Sequence, residues 1–268
     1  MTRRHLISVA LLCAPLLAHD MWIEPSTFFP KTGDIVTLRL LVGQELLGDP
    51  LPRSSAMINR FVLEDSSGRK PVIGREGANP AGFVRVAAPG MQVLGYWSNP
   101  SAVEQTAEKF NQYLKEEGLD SIAALRAHRG QNGAVVHELF ARCAKSLVLS
   151  GTPDKVQADR VLGLPLELVA ERNPYLPGVA EELPVRLTYE NRPLAGALIV
   201  AINRLNPMGK VSARSGADGR VRLKLRSGGM WLIKTVHMIP APAGANAEWL
   251  SYWASLTFEL PVSNAKGR

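Results

Sequence analysis

By residue type, His19 is the position best suited to chemistry. It belongs to the stretch Ala18-His19-Asp20-Met21-Trp22, directly after a short apolar run. Cleavage after Ala18 would make His19 the first residue of a mature chain. A terminal histidine offers two nitrogens, its free α-amine and imidazole Nδ1, and together they form a chelate ring with a metal. Such nitrogens suit nickel, cobalt and copper, ions of borderline softness. The α-amine ordinarily titrates near pH ~7.7–8.0, so a metal can displace its proton at neutral pH. Asp20 and Glu24 are nearby carboxylates, and Asp20 could add an oxygen ligand or simply face solvent from a strand.

A chelate of one histidine needs partners, and His128, His137 and His237 follow in the mature chain. His237 alternates with Trp231, Ile233 and Thr235 on one strand face, away from Lys234 and Met238. It is the second ligand that pattern favours, or else a histidine at the edge of a core. His128 and His137 read as surface residues. Cys143 falls at an apolar position with Leu139 and Phe140, as a buried, inert thiol does, and Arg142 and Lys145 point off its face. No Gly-x-Ser-x-Gly, His-Glu-x-x-His or phosphate-cradling glycine loop is present, so no catalytic residue is assigned.

The elements that must hold these residues are mostly strands. Val36, Leu38, Leu40 and Val42 share one face of Ile35–Val42. Phe61–Leu63 and Pro71–Ile73 flank the turn Ser66-Ser67-Gly68 as a hairpin, and Phe83–Val86 and Met91–Trp97 follow around Pro89-Gly90. Thr106 can cap a helix with Phe110 and Leu114 inside, ending at Gly118. A second short helix runs from Asp120 or Ser121 to about Arg129. Val136, Leu139, Phe140, Cys143 and Ala144 have the spacing of a third. Residues 151–163 form a polar connector. Beyond it about seven strands run to Leu260, with turns at Pro193–Gly196 and Ala217–Gly219.

With 268 residues, 46% hydrophobic and 21% charged, the chain can build a sizeable core without staples. The net charge of +7 includes Arg3 and Arg4 of the leader, and no basic block or stripe marks a nucleic-acid partner. Thr2–His5 and Leu6–Leu17 have the charged and apolar regions of a signal peptide. That predicts a periplasmic or secreted protein with no transmembrane segment in its mature chain. Cys143 alone remains after cleavage, so no internal disulfide can form.

Pro193–Ala197, Ala217–Arg220 and Gly229–Ile233 resemble successive strands and turns of carboxypeptidase-regulatory, transthyretin-like domains. Across about 19–260 the chain is similar to the bacterial exported family called domain of unknown function 4198. The likeness rests on His19–Pro25, Gly163–Val169 before Asn173-Pro174-Tyr175, Trp231–His237 and Trp249–Phe258. It implies an exported protein, in some members an accessory, metal-binding component of nickel or cobalt uptake. The helical block looks like a feature of one subgroup.

The expected fold is mainly β, with two β-sandwich units of immunoglobulin or transthyretin-like type and a small helical insertion. The expected division is a signal peptide at 1–18, a first sandwich at 19–150 with the insertion at about 104–146, and a transthyretin-like sandwich at 164–262. The leading functional expectation is an exported metal-handling protein holding nickel, cobalt or copper with His19, His237 and Asp20. A membrane metal transporter or another envelope protein is its expected partner. The alternative is a metal-free binding or adaptor module at the cell envelope. A copper enzyme with a histidine brace is a third reading.

Overall fold

A computed structural model describes residues 19–261, so the leader expected at 1–18 lies outside the described residues. The first half of the chain is strand-rich. β1 (Asp20–Pro25), β2 (Ile35–Gln44), β3 (Leu47–Leu51), β4 (Ile58–Asp65) and β5 (Gly68–Pro71) come first. β6 (Gly82–Arg85), β7 (Gly90–Ser98) and β8 (Ser101–Gln105) lead into α1 (Ala107–Glu116) and α2 (Asp120–His128). The long β9 (Val136–Ser150) ends this half. After the connector come β10 (Leu166–Ala170), β11 (Leu183–Tyr189), β12 (Arg192–Pro193), β13 (Leu198–Asn203) and β14 (Asn206–Arg214). β15 (Arg220–Leu223), β16 (Gly229–Pro240) and β17 (Trp249–Leu260) complete the described strands. The protein is mainly β, with sandwich-like sheets and two short helices.

A nine-stranded sheet forms the middle layer, in the order β14-β13-β16-β17-β9-β7-β4-β5, with β8 also on β9. β17 and β9 pair in parallel from Trp249↔Glu138 to Thr257↔Ser146, so one hydrogen-bonded sheet runs through both halves of the chain. A four-stranded sheet of β1, β2, β3 and β6 covers part of one face. Its Trp22, Leu38 and Leu40 pack with Leu94, Tyr96, Ala144, Val148 and Leu232 of the middle layer. The two helices extend that same face, where Phe110, Tyr113 and Leu114 meet Val236, Met238, Trp249 and Trp253. A second four-stranded sheet, β10, β11, β12 and β15, covers the opposite face. There Leu168, Val185 and Leu187 pack with Val93, Leu147, Ile233 and Leu256.

The expected hairpin forms between β4 and β5, with Asp65↔Gly68 at its turn. Thr106 caps α1 as expected, its side chain accepting from the Lys109 N–H. Cys143 is buried, and burial pushes its thiol up to about 12. The third helix does not form. The helical block expected at about 104–146 holds only α1 and α2, and Val136–Ser150 is the central strand. β9 is sandwiched on both sides, so apolar residues occupy both of its faces. A strand buried twice loses the alternation that identifies a strand, and its apolar residues then match helical spacing by coincidence. Consequently Lys145 lies on the same face of β9 as Cys143, not off it.

Candidate functional site

Asp20 opens β1 in register with Gly43, with its residue 5% exposed. A carboxylate this deep must be paired. Lys234, on β16, reaches it: Nζ lies 2.8 Å from Asp20 Oδ1 and 2.8 Å from Glu117 Oε1. Glu117 is the C-cap residue of α1, so the triad joins the first strand, the helical insertion and a late strand of the middle sheet. Burial opposes the charge on Lys234, but Asp20 and Glu117 outweigh it and hold the ammonium well above its usual range. Two carboxylates share that one cation. Burial pushes the Glu117 carboxyl up, against the pull of Lys234.

The triad lies in a cleft of about 340 Å³ also lined by Gln44, Glu45, Glu116, Val200, Ile202 and Lys210. Glu45 Oε1 and Lys210 Nζ are 3.1 Å apart. Glu45 and Leu46 form the two-residue turn between β2 and β3, and both have positive φ, 55° and 61°. Both central residues of such a hairpin turn need that conformation, which glycine or asparagine adopts more easily. Glu45 accepts this strain beside the cleft, and strain of that kind gathers at binding sites.

His19 is half-buried and lines a neighbouring groove of about 810 Å³, which runs along Val42–Pro52 and shares Gln44 and Glu45 with the cleft. Its carbonyl accepts a 2.9 Å hydrogen bond from Arg142 of β9. Burial draws the Arg142 guanidinium down to about 10. The entry to β1 is thus gripped twice, at the backbone of residue 19 and at the side chain of residue 20.

His237 is elsewhere. Its ring packs 4.6 Å from that of Tyr189, on the face covered by β10, β11, β12 and β15, and burial lowers its pKa. Lys234 and His237 are three apart on one strand, so they project to opposite faces. The structure therefore places Asp20 and His19 in adjoining pockets that share Gln44 and Glu45 and leaves His237 across the sheet from them. Among the described residues, no group of three or more His, Cys, Asp or Glu side chains is placed to hold a metal ion. His137 is half-exposed beside Glu104 and Glu248, the surface position its sequence context predicts. The residues the sequence reading missed are Lys234 and Glu117. A lysine alternating with Leu232 and Val236 inside an apolar strand was the available signal for the first; Glu117 had none.

No curated protein matches the chain. Several solved structures are similar at low identity. The D0-D1 domain of Intimin is 11% identical, with 89% of this chain and 97% of that chain covered, at a TM-score of 0.22. A tetra-tandem repeat in the extending region of a large adhesion protein is 12% identical, covering 90% of this chain and 49% of that one, at 0.22. Dimeric latent PorU from Porphyromonas gingivalis is 12% identical, covering 88% and 20%, at 0.18. A family model matches residues 16–239, and the chain belongs to that family, Domain of unknown function (DUF4198).

Proposed function

We propose that this chain is an exported β-sandwich binding module of the cell envelope, and that the cleft at the head of β1 receives a cationic group. One observation carries the reading. Asp20, Glu45, Glu116 and Glu117 line the cleft against only Lys210 and Lys234, so acidic groups outnumber basic ones there. A cleft walled by low-dielectric strands strengthens the attraction of such an excess for a cation. The Glu45 turn and the Lys234 triad hold the carboxylates in place before any ligand arrives.

A metal ion is the second reading, favoured by the position of His19. In a chain beginning at residue 19, its α-amine and imidazole would stand where the groove and the cleft share Gln44 and Glu45. The nickel and cobalt link implied by the family resemblance belongs to this reading, as does a membrane metal transporter as partner. A copper brace using His237 gains no support, because that ring faces the other side of the sheet.

Calorimetric titration distinguishes them. The chain beginning at His19, the same chain with one added N-terminal residue, and a Glu45→Gln/Glu116→Gln double variant would each be titrated with Ni²⁺, Co²⁺, Cu²⁺ and a small diamine. Under the cleft reading the double variant weakens binding of whichever probe binds. Under the metal reading the added residue abolishes metal binding and leaves the diamine unaffected. Failure of every probe to bind the unaltered chain would remove both.

A further inference from the structure

A second buried charge cluster lies on the opposite face of the middle sheet and takes no part in the cleft. Lys145, on β9, has a side chain 1% exposed, and those of Asp159 and Glu167 are fully buried. Its Nζ lies 2.8 Å from Asp159 Oδ1 and 3.1 Å from Glu167 Oε1, and donates to the Arg160 carbonyl at 2.8 Å. Asp159 belongs to the connector and Glu167 to β10. The arrangement unites an amine nucleophile, a carboxyl carbon one bond behind the contacted oxygen, and a second carboxylate touching the amine. No water need be displaced for them to meet.

The polar neighbours are arranged unequally. Glu167 accepts from the N–H groups of Leu162, Gly163 and Leu164, at 2.7, 2.9 and 3.1 Å. These three bonds fix the carboxylate with Oε1 beside Lys145 Nζ. Asp159 Oδ2 accepts from the Ala170 N–H at 3.0 Å, and Oδ1 from the Arg160 N–H at 2.7 Å. Burial pushes the Asp159 carboxyl up, with Lys145 opposing. In a dry site, moving one proton from the ammonium to Asp159 replaces an ion pair by a neutral amine and a carboxylic acid. Those are the reactive forms for condensation.

We propose that Lys145 and Asp159 join in an intramolecular amide bond, with Glu167 as the proton shuttle. The Nζ lone pair attacks Cγ of the protonated Asp159 carboxyl, and the carbonyl π pair moves onto Oδ2, where the Ala170 N–H stabilises the developing charge. Glu167 Oε1 removes a proton from the nitrogen and passes it to Oδ1. The carbonyl re-forms as the Cγ–Oδ1 bond breaks, and one water leaves. Glu167 ends as it began, and no oxidant, reductant or other reactant is consumed. Holding the groups in contact supplies the effective concentration that an amine and a carboxylic acid lack in water. The bond would close residues 145–159 into a covalent loop and fasten the connector to the central strand.

Intact mass spectrometry of the purified, denatured chain tests this directly. The expected chain is lighter by one water than its sequence, and its peptide map contains a branched peptide linking Lys145 to Asp159. Glu167→Gln is expected at full mass, and Asp159→Asn lighter by ammonia through the same linkage. A full-mass unaltered chain overturns the proposal, and this result does not depend on any variant folding. A mass deficit mapping to a linear peptide, as a cyclic imide would give, also overturns it.

Discussion

Lys234 Nζ sits between Asp20 Oδ1 and Glu117 Oε1, 2.8 Å from each, and among the described residues is the only cation bonded to both. One side chain therefore ties the first strand to the helical insertion. Replacing it by methionine removes the cation bonded to both buried carboxylates and leaves them facing each other. Lys234→Met should cost about 3–5 kcal/mol of folding stability. Adding Glu117→Gln should restore a large part of that loss. Urea unfolding of the two variants measures both, and a single variant as stable as the unaltered chain would contradict this account of the triad.

Glu138 gives the clearest pH dependence. It is buried beneath α1, accepting from Gln105 at 2.8 Å and also from Ser251, with the Tyr113 hydroxyl at 3.4 Å. Among the described residues, no cation forms a salt bridge with it. Burial raises its pKa from 4.5 to about 7, against the pull of those hydrogen bonds. Between these values the folded chain holds a proton that the unfolded chain has released. Stability therefore falls as pH rises through that window, by about 3 kcal/mol at roughly 1.4 kcal/mol per unit. Glu138→Gln should abolish this component and stabilise the protein above pH 7. Parallel urea curves for the two proteins at every pH would refute it.

His237 should behave in the opposite sense. Burial depresses its pKa, so its contribution is complete above the ordinary imidazole range and is lost as pH falls. His237→Phe should retain the packing against Tyr189 and remove that acid-side loss. The same variant should titrate with Ni²⁺ and Cu²⁺ as the unaltered chain does, because its ring lies across the sheet from His19. Weakened metal binding in His237→Phe would restore it as a ligand.

Cys143 should resist thiol reagents. Its side chain is buried and its thiol is held near 12, far from the reactive thiolate. Modification by a maleimide in native buffer should be negligible, then rapid in urea. Fast native labelling would mean that β9 opens on its own.

Local signals were legible in the sequence and long-range pairings were not. The turn at Ser66-Ser67-Gly68, the Thr106 cap and the alternation of Val36, Leu38, Leu40 and Val42 each depend on a few adjacent residues, and each recurs in the structure. β9 was illegible because burial on both faces erased its period. The placement of His237 on its own strand face was readable, whereas what lay beyond that face was not. Asp20 offered an acidic side chain next to a histidine. Only the fold shows that its partner is a lysine more than two hundred positions away. The burial of Lys145 with Asp159 and Glu167 was hidden for the same reason, since a strand misread as a helix puts the lysine on the wrong side.

The position of β17 dictates an order of events during synthesis. The last described strand is not at a border of the nine-stranded sheet but within it, between β16 and β9. As a nascent chain lengthens, β9 can pair with β7 early, yet its other side waits for residues from Trp249 onward. Until then the longest strand of the first half has an open hydrogen-bonding edge, and such edges recruit neighbouring chains. A ribosome that stalls before Trp249 would release a product missing the middle of its own sheet.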